Sequence, residues 1–62
     1  MKQITREQII ELRKSLLLTQ KEFAEKLGVA QITVTCWEVG SKYPGLRNQR
    51  KLRDLQEQNS VN

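Results

Sequence analysis

Sixty-two residues carrying a net charge of +4 suffice for one domain, and a chain this short buries only ~60% of its unfolded surface, which excludes a deep catalytic cleft. The absence of histidine and the single cysteine, Cys36, remove the commonest general base, an intrachain disulfide and any multi-cysteine zinc site, so no enzyme activity, metal or cofactor is expected. No apolar run approaches the ~20 residues of a membrane span, and Met1 to Arg6 lead into a polar amphipathic stretch and not a signal sequence, which points to a reduced, cytoplasmic setting.

The first element is announced by Thr5-Arg6-Glu7-Gln8, a pattern in which the Thr5 and Gln8 side chains each satisfy the other's backbone N–H. Ile9, Leu12 and Leu16 follow at helical spacing, predicting a helix from Arg6 to about Leu16. A second such box, Thr19-Gln20-Lys21-Glu22, opens a helix over Gln20 to Leu27 that buries Phe23, Ala24 and Leu27. Gly28 ends it, as the residue best suited to left-handed backbone.

Gln31 to Val39 is largely β-branched and by propensity alone reads as a strand. The spacing of Val34 and Trp37, and the core that the flanking helices need, favour a helix instead. Gly40 to Gly45 is a loop, and a fourth helix is expected from Leu46 to about Gln56 with Leu46, Leu52 and Leu55 inward. Leu17 and Val29 complete the expected apolar set. The chain therefore reads as one all-α domain over residues 1–62: four short helices around one core, ordered over about 5–56, with a frayed tail at 57–62.

Charge is unevenly spread. Lys42, Arg47, Arg50, Lys51 and Arg53 lie within residues 42–53 without an acid between them. A solvated helix face is one account of them. A polyanion that releases counterions on binding is the other.

Two short helices joined by a tight turn at Gly28 make a helix-turn-helix unit over residues 20–39. Val34 and Trp37 anchor its second helix, so Gln31, Ile32, Thr35 and Cys36, with Thr33 beside them, face outward. Amides can pair with adenine edges, and aliphatic groups can meet thymine methyls, in the major groove. The alternative is that Ile32 and Cys36 pack against a partner protein. Cys36 as a redox sensor is a further alternative, although no local cation activates its thiol.

At this point the chain resembles the phage repressor and Cro family of helix-turn-helix domains, the lambda-repressor-like and xenobiotic-response-element-like regulators. The resemblance runs over about residues 6–55 through Leu12-Arg13, Leu18-Thr19-Gln20, Phe23-Ala24, Leu27-Gly28-Val29, Val34, Trp37-Glu38, Gly40 and Pro44. It implies sequence-specific binding of double-stranded DNA by a transcriptional regulator, a repressor or Cro-like switch, with the helix at 31–39 in the major groove.

Residue by residue, the resemblance places Gln20 on a phosphate and against the recognition helix, and Gln31, Ile32, Thr35 and Cys36 toward bases. Thr33 is placed near the backbone, and Lys42 and Tyr43 near phosphates, with Arg47 among the residues that attract DNA. It also pairs Arg13 with Glu38, where the residues alone suggest two ordinary surface charges. Ala30 stands where serine or threonine often caps the recognition helix, a loss of ~1 kcal/mol of helix stability. A single domain spans one half-site, so useful affinity calls for a homodimer on two half-sites. An antitoxin-like module, binding a protein partner first and DNA second, is the alternative function.

Overall fold

A computed structural model describes residues 4–60 of the chain and contains four helices: α1 (Arg6–Ser15), α2 (Gln20–Leu27), α3 (Gln31–Val39) and α4 (Leu46–Ser60). Residues 1–3 and 61–62, which the readings of the N-terminus and of the frayed tail touch, lie outside the described residues.

Both predicted capping boxes form. The Thr5 hydroxyl accepts from the Gln8 N–H at 3.1 Å while the Gln8 carboxamide accepts from the Thr5 N–H at 2.9 Å. Thr19 and Glu22 repeat the exchange at 3.1 and 2.9 Å. Ile4 and Ile9 occupy the two positions of a hydrophobic staple around the first cap, and both are buried. Ile4 was not among the expected core residues, because it lies before the first helical turn and outside its periodicity.

The first three helices end alike. In each, a residue with left-handed backbone lets two N–H groups fold back onto the last turn. Leu18 and Leu17 donate to the carbonyls of Arg13 and Lys14 at 3.2 and 3.0 Å. Val29 and Gly28 donate to Ala24 and Glu25 at 3.0 and 3.2 Å, and Ser41 and Gly40 to Cys36 and Trp37 at 3.0 and 3.3 Å. Glycine takes the left-handed position at Gly28 and Gly40, with φ of 75° and 86°, but Leu17 takes it at 60°. A side chain there costs about 1–2 kcal/mol.

That turn also corrects the place of Leu17. It lies beyond the last turn of α1, where helical spacing no longer aims it inward, and its side chain is 90% exposed. The core is Ile4, Ile9, Leu12, Phe23, Ala24, Leu27, Val34, Trp37 and Leu52, with Leu16, Leu18, Val29 and Leu55 packed against it.

α4 departs from expectation at both ends. Leu46, expected inward, is 62% exposed. It precedes Leu52 by six residues, about 1.7 turns, which carries it well off the buried face. Pro44 is buried just before the helix, and the Gln49 carboxamide donates to its carbonyl at 2.9 Å. At the other end the helix continues to Ser60 instead of stopping near Gln56. Asn59 there donates to the Ser15 hydroxyl at 2.8 Å, a contact across 44 positions that no local pattern announces.

Candidate nucleic-acid interface

α3 is helical despite its β-branched sequence because one side of it completes the core. Val34 and Trp37 are both buried, and burying a large apolar side chain contributes about 1.5–3 kcal/mol, more than a β-branched residue's helix penalty of a few tenths. Its N-cap residue is Ala30, which offers no side-chain hydrogen bond, and Gly40 ends it. Tertiary burial therefore holds a helix that is weakly specified locally.

A polar network ties this helix to the two before it. Arg13 on α1 donates from Nε to Glu38 Oε2 at 2.7 Å and from Nη2 to Glu38 Oε1 at 3.1 Å. The two side chains are 17% and 7% exposed, so the pair is shielded from solvent rather than lying on the surface. The third nitrogen, Nη1, donates to the Leu18 carbonyl in the α1–α2 turn at 3.1 Å.

Gln20, the first residue of α2, extends the network on the other side. Its Nε2 donates to Glu38 Oε1 at 2.9 Å, and its Oε1 accepts from the Thr35 hydroxyl at 2.9 Å. These partners settle the amide's orientation, since the flipped amide would set its oxygen against a carboxylate. The Gln31 carbonyl, 3.2 Å from Thr35 Oγ1, is a second acceptor for the same hydroxyl. Every buried side-chain nitrogen and oxygen among the described residues has a partner, which such a network requires if it is not to destabilise the core.

The opposite side of α3 is open. Gln31 and Ile32 are exposed, the latter by 66%, while Thr33, Thr35 and Cys36 are half-buried. Between Gln31 and Val39 the only charged side chain is Glu38, and it is turned inward to Arg13 and Gln20. Lys42, Tyr43 and Arg47 follow in the loop and at the start of α4, all exposed.

The structure thus gathers Gln20 and Thr35 with Arg13 and Glu38, leaves Gln31, Ile32 and Cys36 on the outer side, and sets Lys42, Tyr43 and Arg47 beyond its C-terminal end. It also divides the basic cluster. Lys51 donates from Nζ to the Leu27 carbonyl at 2.8 Å, meeting the negative end of the α2 dipole. Lys51 is exposed all the same, as are Lys42, Arg47 and Arg50, and Arg53 is half-buried. Arg6 plays the part of Lys51 for α3, donating to the Val39 carbonyl at 3.1 Å. Sequence reasoning missed both residues, because each contact spans more than 20 positions.

Compared with known families, residues 9–55 match the helix-turn-helix family of the phage repressor and Cro type. The chain belongs to that family. No curated protein matches it. The matched stretch covers α1 from Ile9 on, α2, α3 and most of α4, including the whole Arg13–Glu38–Gln20–Thr35 network. Membership makes this helix-turn-helix chain a DNA-binding transcription regulator, of a family that is regulatory and not enzymatic. Among the described residues no helix is long and apolar enough to cross a membrane.

Proposed function

We propose that the chain is a repressor or Cro-like switch that binds an operator in duplex DNA with α3 in the major groove. The observation that carries this reading is the division of α3: its inner side is locked by core and network, and its outer side presents Gln31, Ile32 and Cys36 without charge. A helix held by two neighbours, α1 and α2, presents its outer side chains with little conformational freedom left to lose on binding.

Lys42, Arg47 and Arg50 then supply attraction that is independent of sequence. In this reading Tyr43, which is exposed, and Thr33, which is half-buried, contact the DNA backbone. Gln20 approaches a phosphate through the chain itself, because its amide is committed to Glu38 and Thr35 and, with the Glu22 N–H taken by the Thr19 hydroxyl, the Gln20 and Lys21 N–H groups are the ones at the start of α2 that have no acceptor within the helix. The protein works as a homodimer on two half-sites about one helical turn, roughly 34 Å, apart, a spacing close to the domain's longest dimension of 32 Å. An antitoxin-like module would want an apolar surface at the end of α4, and the exposed residues described there, Glu57, Gln58 and Asn59, are polar.

Selection of bound duplexes from a random pool, followed by a salt titration on the enriched site, tests this. Enrichment of a two-fold-related sequence is expected. With about three phosphates neutralised per domain, log affinity should fall with log salt at a slope near −2.7 for each domain. A pool that stays random, or a salt-independent affinity, would overturn the reading.

A further inference from the structure

The outer side of α3 is unusual in what it lacks. Arginine and lysine are the side chains that hold the O6 and N7 of guanine in a two-pronged grip, and neither occurs between Gln31 and Val39. The one acid that could accept from cytosine, Glu38, is 7% exposed and taken by Arg13 and Gln20. Thr35 is occupied too, because its hydroxyl proton goes inward to Gln20 or to the Gln31 carbonyl.

What remains is one carboxamide and an apolar strip. Gln31 has a donor and an acceptor side by side, the complement of adenine N7 and N6. Ile32 and Cys36 are four residues apart, so they lie on one face of the helix one turn from each other. Ile32 is two-thirds exposed, and the Cys36 thiol is a weak hydrogen-bonding group. In the major groove only the C5-methyl of thymine offers such side chains an apolar counterpart.

We propose that this surface reads A·T base pairs, with Gln31 on an adenine edge and Ile32 and Cys36 on thymine methyl groups, while Thr35 acts as a positioning residue through the Gln20 amide. The inference rests on the DNA-binding reading above and narrows it to a class of half-site.

The test uses the full chain and the duplex selected from a random pool, resynthesised with deoxyuridine in place of each thymidine in turn. Uracil keeps the pairing and the O4 acceptor and loses only the methyl. Binding should fall about four-fold at each thymine that meets Ile32 or Cys36, the value of one buried methyl, and hold at the others. Ile32→Ala and Cys36→Ala should each abolish the uracil effect at one position, which ties each methyl to its side chain. Thr35→Val, which keeps the methyl of Thr35 and removes its hydroxyl, should weaken all single-base variants of the site by one common factor, and Thr35→Ser should restore them.

A selected half-site whose specificity lies in G·C pairs, or one indifferent to uracil, overturns the proposal while leaving DNA binding intact. A changed rank order of variants with Thr35→Val overturns the positioning role and makes Thr35 a base reader. If no duplex is enriched at all, the DNA-binding reading fails first and this one with it.

Discussion

Val34 and Ile32 are two positions apart on the same helix and of the same chemical class, yet the first is wholly buried and the second is 66% exposed. Core packing accounts for the first. Nothing in the fold's own energetics asks for the second, since an exposed β-branched aliphatic residue contributes neither burial nor helix propensity. The inner side of α3 answers to stability and the outer side, in the proposed reading, to DNA, with the Thr35–Gln20–Glu38–Arg13 network as the seam between them.

The sharpest way to break this contrast is on the inner side. Trp37→Ala should cost about 3–5 kcal/mol, enough to unfold a domain of this size at room temperature. Thermal denaturation followed by circular dichroism checks it, and a transition near the original midpoint would show that Trp37 is not an anchor.

The seam comes next. Arg13→Ala or Glu38→Ala strands a shielded charge and should destabilise by about 3 kcal/mol, whereas Arg13→Met with Glu38→Leu should recover much of that loss. Urea denaturation of the singles and the double separates this from two independent surface charges, whose effects would be below about 1 kcal/mol and would add.

On the outer side, Ile32→Ala should change stability by less than about 0.5 kcal/mol by the same urea measurement. A loss as large as that of a core residue would erase the distinction between the two faces.

The smallest effect is electrostatic and sits at the C-terminal end of α3, where Arg6 both donates to the Val39 carbonyl and pairs with Glu7 at 3.3 Å. The Glu7 carboxyl is held below its ordinary range, first by its backbone N–H at the start of α1 and then by Arg6. A depressed carboxyl contributes stability above its unfolded pKa that is lost as pH falls through the folded one. Glu7→Gln, which stands in for the protonated carboxyl, should therefore lower the neutral plateau of a stability–pH profile slightly and leave its acid end nearly unchanged, which flattens the acid limb between them.

The two turns flanking α2 show a second contrast that is local. Gly28 and Leu17 have the same left-handed backbone and the same pair of folded-back hydrogen bonds, and only one of them is glycine. The turn at Gly28 is legible because glycine marks it. The turn at Leu17 is not, since leucine in a run of three leucines reads as core.

The sequence alone determined the helix starts at Thr5 and Thr19, the stop at Gly28, most of the core and the exposure of Gln31 and Ile32 on α3, because caps, glycine geometry and helical periodicity are short-range. The Arg13–Glu38 pairing was reached through the family's pattern; the residues by themselves read as surface charges. Only the tertiary structure decided that Ile4 is buried, that Leu17 and Leu46 are not, and that α4 runs on to Ser60 beside Ser15. It also decided that Lys51 and Arg6 serve helix ends and that the Thr35 hydroxyl faces inward. Each of these depends on which distant backbone carbonyl, amide or hydroxyl comes within about 3 Å, and that distance is fixed by how the four helices cross.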